Sequence, residues 1–153
     1  MELILWRHAE AEDKREDLPD LDRELTRKGA RQAAKVGAWL DRELPQGTLV
    51  LCSPAVRCEQ TVRALQRKYQ LRDALQPGAT AQDVLKEADW PAAKQPVLVV
   101  GHQPVLGQVI AQLLHIEGGE CAVRKGGVWW LRRREEGGQE QTVVRAVQSP
   151  ETA

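Results

Sequence analysis

Three short apolar runs constrain this chain more than anything else in it: Leu3-Ile4-Leu5-Trp6, Leu49-Val50-Leu51 and Val97-Leu98-Val99-Val100. Each has the length of a strand and none alternates with polar residues, the pattern of strands buried on both faces of a largely parallel sheet. Each run also breaks off into residues that carry chemistry. The first leads to Arg7-His8, the second to Cys52-Ser53-Pro54 with Arg57 shortly after, and the third to Gly101-His102-Gln103-Pro104. Ligands in open α/β sheets bind beyond the carboxyl ends of the strands, so His8, His102, Arg7 and Arg57 are expected to converge there. One histidine at a strand end is most often a hydrogen-bonded structural residue. Two histidines and two arginines at equivalent strand ends weaken that reading considerably.

A chain of 153 residues fits one α/β domain, 1–153, with a core large enough to need neither disulfides nor metals. The expected architecture is a three-layer fold, a mostly parallel central sheet flanked by helices and closed by antiparallel C-terminal strands. Lysine plus arginine equals aspartate plus glutamate, at 22 each, so no global field favours nucleic acid or an anionic membrane. The three cysteines are an odd number, which argues against a disulfide framework and for a reducing compartment. The opening Met1-Glu2 lacks the basic and long apolar segments of a signal peptide, and a cytoplasmic location is expected.

Further along, the acid-rich stretch from Glu10 to Glu24 reads as a surface loop beside the site. Thr26 is an N-cap candidate for a helix whose Ala30, Ala33, Ala34, Gly37, Ala38 and Leu40 would pack on the sheet, ending at Pro45-Gln46-Gly47. Ser53-Pro54 reads as cap and first residue of a helix to about Tyr69, with Arg57 in its first turn where the macrodipole favours an anion. A short helix over 81–89, the central strand at 97–100, and a helix after Pro104 follow. Strands at 128–131 and 142–147, joined by Glu135-Glu136-Gly137-Gly138, end the fold before a loose tail from about Gln148. Arg132, Arg133 and Arg134 read as a solvated rim, and the tryptophans, including Trp129-Trp130, as core.

These residue types suit phosphoryl transfer, in which catalysis is mostly positioning plus fixed positive charge. Arg7 and Arg57 supply the charge; a neutral His8 can accept the phosphoryl group, its other ring nitrogen held by a backbone carbonyl; His102 can stabilise a phosphate oxygen. Glu10, Glu12, Asp22 and Glu59 are candidate proton donors between which the sequence does not choose.

The segments Leu5-Trp6-Arg7-His8-Ala9-Glu10-Ala11, Asp22 to Gly29, Ser53 to Thr61 and Val99 to Pro104, in this order, resemble the histidine phosphatase superfamily, and within it the small SixA-type phosphohistidine phosphatases. The resemblance implies a phosphoglycerate-mutase-like fold, His8 as the phosphorylated nucleophile, Arg7, Arg57 and His102 around the phosphate, Arg23 as a further cationic contact, and neither metal nor cofactor. Ala9 stands where the wider superfamily has glycine, a change that is harmless only if φ is negative there. No acidic residue matches the proton donor of the larger relatives. Only 44 residues separate Arg57 from His102, too few for a lid-like insertion, so an open pocket is expected. Such a pocket can reach phosphohistidine on a signalling or phosphotransfer protein, whose imidazole leaves with little help.

Four other readings compete. A small-molecule phosphomonoesterase of the same superfamily is one. A cysteine phosphatase using Cys52 is another, although those enzymes resemble Cys-x5-Arg and Arg57 comes one residue early. A metallohydrolase would have to unite His8, His102 and His115. A phosphoprotein-binding module would keep the cations without turnover.

Overall fold

The computed structural model describes residues 1–153. Strand β1 (Glu2–Arg7) leads through a loop and a 3-10 turn (Asp20–Asp22) to helix α1 (Arg27–Glu43). Then follow β2 (Leu49–Cys52), α2 (Val56–Arg63), β3 (Gln70–Leu71), a second 3-10 turn (Asp73–Leu75), α3 (Ala81–Glu87), β4 (Val97–Gly101), α4 (Val105–Leu114), β5 (Val128–Glu136) and β6 (Gln139–Gln148). One six-stranded sheet runs in the order β3-β2-β4-β1-β5-β6. Strands β1 to β4 are parallel, and β5 and β6 add an antiparallel edge.

The unbroken apolar runs have the expected consequence. Alternate side chains of β1 enter opposite layers: Leu3 and Leu5 pack with Leu106, Val109 and Ile110 of α4 and Val84 of α3, while Ile4 and Trp6 pack with Val36 and Leu40 of α1 and Val62 of α2. Strand β4 is buried along its whole length between β1 and β2. Each of its four aliphatic side chains contributes roughly 1.5–3 kcal/mol through burial. This centre fixes the ends of three parallel strands side by side.

Local signals act much as read at α1, where Thr26 caps the helix by accepting from Gly29 N at 2.9 Å. Its packing face differs, however: Gly29, Ala33, Val36, Gly37 and Leu40 are buried, whereas Ala30, Ala34 and Ala38 face out. The Ser53-Pro54 expectation is corrected too. Helix α2 is capped by Ala55 and starts at Val56, because the Ser53 hydroxyl is engaged by His102. It also stops at Arg63 rather than near Tyr69; Gln66 takes a left-handed φ of 60° and the chain turns into β3, a strand too short to leave a pattern.

Strands β5 and β6 extend past their apolar centres to a two-residue turn at Gly137-Gly138, both with positive φ. Arg132 pairs with Glu2 and Arg133 with Glu140, so part of the expected rim is tied down. Trp130 is buried and donates to Glu2 Oε1, while Trp129 is half-buried. The C-terminal residues form no loose tail: Gln148 belongs to β6, Thr152 N donates to Ser149 O at 3.1 Å, and Pro150 is buried. No helix is long and apolar enough to cross a membrane.

Candidate active site

The ladder between the central strands continues past their ends. His8 N donates to Gly101 O at 3.1 Å and Ser53 N to Val100 O at 3.0 Å, so the residues following β1, β4 and β2 stand in one row. His8 and His102 meet there with ring centroids 5.3 Å apart. Thr61 of α2 ties the row together: its hydroxyl donates to Arg57 O at 2.7 Å and accepts from Ala9 N at 3.1 Å. Ala9 is fully buried and its φ is not positive, so a β-carbon fits without strain.

His8 is 9% exposed. Its Nδ1 lies 2.7 Å from Ala9 O, an atom that can only accept, so Nδ1 carries the proton and Nε2 presents a lone pair. Burial, reinforced by the charges of Arg57, Arg7 and Arg23, pushes its pKa down to about 4 against the opposing Ala9 hydrogen bond. The imidazole is therefore neutral at pH 7, as a nucleophile must be.

Both arginines are held from behind. Arg7 donates from Nη1 to Val123 O at 2.9 Å, and burial lowers its pKa from the usual value. Arg57, 3% exposed, donates from Nη1 to Asp20 O at 2.8 Å and from Nη2 to Asp20 Oδ2 at 3.1 Å. In each the Nε is buried and has no hydrogen-bond partner. Two orphaned cationic donors beside one neutral imidazole are the clearest electrostatic signature of the site, because such groups are almost always satisfied.

His102 is 4% exposed. Arg57 Nη2 donates toward its Nδ1 at 3.4 Å, which leaves the proton on Nε2, 2.8 Å from Ser53 Oγ. Burial, then the neighbouring His8 and Arg57, pushes its pKa down to about 3. Arg23 reaches the same cluster, donating from Nε to Asp20 Oδ1 at 2.9 Å and from Nη1 to Glu12 O at 2.6 Å. All five residues singled out in the sequence are thus brought together.

Asp20 and Ser53 are the participants that the sequence reading missed. Asp20 is one of eight acids between Glu10 and Glu24, and only its i,i+3 spacing to Arg23 marks it. Burial raises its pKa, but the Arg23 hydrogen bond and the Arg57 charge prevail and hold the carboxyl below its ordinary range. Of the four acids named as proton donors, two are engaged by other side chains and two are exposed beside Arg23. Glu10 accepts from Thr26, Glu59 from Tyr69, and Glu12 and Asp22 are exposed.

Two competing chemistries lose their footing. Burial raises the Cys52 thiol far above neutral pH and pushes Cys58 up to about 12, so neither provides a thiolate. His115 caps the far end of α4, about 15 Å of helix rise from the His102 end, and cannot join the other two histidines on one metal.

Comparison with known proteins identifies the family. Residues 3–91 match the model of the histidine phosphatase superfamily, branch 1. A SixA phosphohistidine phosphatase homolog of Haemophilus influenzae is 29% identical over 128 residues, 74% of this chain and 77% of that protein. The structure of a SixA phosphohistidine phosphatase candidate from Nakamurella multipartitia superposes with a TM-score of 0.78 at 30% identity, covering 97% of this chain and 95% of that one. A SixA candidate from Agrobacterium tumefaciens, at 23% identity, shares the fold with a TM-score of 0.82 over 97% of each chain. Sequence, fold and site agree that this chain belongs to the histidine phosphatase superfamily and is a phosphatase of the phosphoglycerate-mutase-like fold.

Proposed function

We propose that the chain removes the phosphoryl group from phosphohistidine on a signalling or phosphotransfer protein, by way of a phosphohistidine on its own His8 and without a metal. The observation that carries this reading is the free Nε2 of a neutral His8 beside the unpartnered, buried Nε–H groups of Arg7 and Arg57. Nε2 attacks phosphorus, the P–N bond to the substrate imidazole breaks, and the guanidinium donors hold the equatorial oxygens. Water then displaces His8 and releases inorganic phosphate. As negative charge grows on the oxygens, His102 gains affinity for a proton; it takes one from the attacking water at Nδ1, displacing the long 3.4 Å contact from Arg57, while Ser53 holds Nε2. Arg23 adds positive charge at the rim through its shared carboxylate.

The leaving group decides substrate class. The carboxylate nearest the cations, Asp20, is held ionised and is a poor acid, so an alkoxide has no evident donor while an imidazole needs less assistance. The short connection between Arg57 and His102 goes into the rest of α2, β3, a 3-10 turn, α3 and β4, with no lid-sized insertion. The lack of such an insertion suits a phosphate borne on a protein, and the three free cysteines suit the cytoplasm.

The test is a rapid quench with a phosphohistidine-bearing domain and, separately, with an aryl phosphate. Acid-labile phosphate on His8 and faster turnover of the phosphohistidine substrate are expected. Label on another residue would overturn the mechanism, and faster aryl phosphate turnover would favour a small-molecule phosphomonoesterase.

A further inference from the structure

The chain is neutral overall, yet charge is sorted around the mouth of the site. On the α2 side runs the Glu10–Glu24 loop, with eight acids against three bases, its Asp20 seated on Arg57. The other side is basic. Lys28, Arg31 and Lys35 share one exposed face of α1 at i, i+3 and i+7, and Arg124 and Lys125 stand exposed in the loop that enters β5.

These two segments form one surface, and that surface adjoins the nucleophile. Gly126 N donates to His8 O at 3.0 Å and Arg7 N to Gly127 O at 3.0 Å. A β-carbon on Gly126 would meet Pro150 at 3.1 Å, Gln32 of α1 at 3.5 Å and Ala9 at 3.8 Å, so the β5 loop, α1, the C-terminal turn and the residue after His8 meet at one point. Lys28 and Arg124 both lower the pKa of the Glu151 carboxyl, so charges from the two segments reach the same group. Both segments also lie at the carboxyl end of β1, since α1 runs back from that end and β5 pairs antiparallel with β1 from Val128 onward.

None of the five cations is ion-paired. The first turn of α1 carries Arg27 and Lys28 and no acid, a placement that the helix dipole disfavours. Within this face only the Glu151 carboxylate opposes five cations, which leaves a net positive charge beside a phosphate site. We infer that Lys28, Arg31, Lys35, Arg124 and Lys125 form a docking face for an acidic surface on the phosphoprotein, flanking the phosphohistidine that enters the site. This rests on the phosphohistidine-protein reading above. The acidic loop, which packs on α1 at Glu10 and covers Arg57 with Asp20, repels the same surface, so the uneven charge around the site favours one direction of approach.

The experiment uses two short fluorescein-labelled peptides with one N-phosphohistidine each, flanked by Asp and Glu in one and by Ser and Gln in the other, with free N-phosphohistidine as a third substrate. The full chain should favour the acidic peptide in kcat/KM by about tenfold at low ionic strength, and the preference should shrink as salt rises. K28E/R31E/K35E should bring the ratio to about one while leaving free phosphohistidine turnover unchanged, and glutamate suits a helix surface. K68E/K86E/K94E, a charge-matched control on exposed lysines near the amino ends of the strands, should keep the preference. A ratio near one in the unaltered chain, or an unchanged ratio in K28E/R31E/K35E, would overturn the docking face. If free phosphohistidine is not turned over, the phosphatase reading fails separately, and anisotropy of the same peptides without phosphate still decides docking. Tighter binding to phosphatidylglycerol vesicles or to a single-stranded oligonucleotide than to the acidic peptide would overturn the assignment to a protein partner.

Discussion

Burying two neutral imidazoles side by side makes the fold acid-sensitive in a defined window. In the unfolded chain His8 and His102 take up protons near pH 6.5; in the folded chain they do so only near about 4 and about 3. Below pH 6.5 the unfolded state therefore binds more protons, so stability is complete above that pH and falls as the solution is acidified toward the folded values. Each proton is worth about 1.4 kcal/mol per pH unit. The full slope is reached only below pH 6.5, at which the unfolded histidines are already half protonated, so from pH 6.5 to pH 5 the pair should cost about 3 kcal/mol, shared about equally. Asp20, whose carboxyl is held low, adds its own loss only at more acid pH. Urea unfolding at a series of pH values should show the decline, His8→Asn should remove about half of it, and the double variant with His102→Asn nearly all. An equal decline in the double variant, or an imidazole of His8 titrating near 6.5 by NMR, would refute the reasoning. The same neutrality keeps the nucleophile competent in acid: single-turnover labelling of His8 should fall only as the pH approaches about 4.

Ser53→Ala removes the partner of His102 Nε2 and should cost about 1–3 kcal/mol in urea unfolding while lowering kcat more than it raises KM. Asp20→Asn keeps the shape of the carboxylate but not its charge, so inorganic phosphate should bind several-fold more tightly by calorimetry. Gly29→Ala would place a β-carbon 2.0 Å from Glu10 O, and the forced retreat of the loop should destabilise the fold by about 3 kcal/mol and depress turnover in steady-state assays.

How much could be read in advance follows from what each residue depends on. His8, His102, Arg7 and Arg57 were legible because apolar runs announce buried parallel strands, and whatever follows such strands shares one end of the sheet. Thr26 was legible because a cap is a local matter. Ser53 was misread for the same reason: as serine before proline it fits a helix start, and only the juxtaposition of β2 and β4 gives its hydroxyl a stronger partner. Asp20 was lost among neighbouring acids because its significance lies in Arg57, 37 positions away. The premature end of α2 and the two-residue β3 left no periodicity to detect. The extent of the hairpin escaped because its outer rungs are polar and are held by main-chain pairing alone.

The acceptor that sets the protonation pattern of the proposed nucleophile is the carbonyl of the very next residue. A side-chain acceptor can be deleted by one codon change, but a peptide oxygen is supplied by whatever amino acid occupies position 9. Reversing the tautomer would require the chain itself to be re-routed, and that path is pinned by Thr61 and Gly101. Drift at position 9 is therefore filtered for size rather than for hydrogen-bonding character.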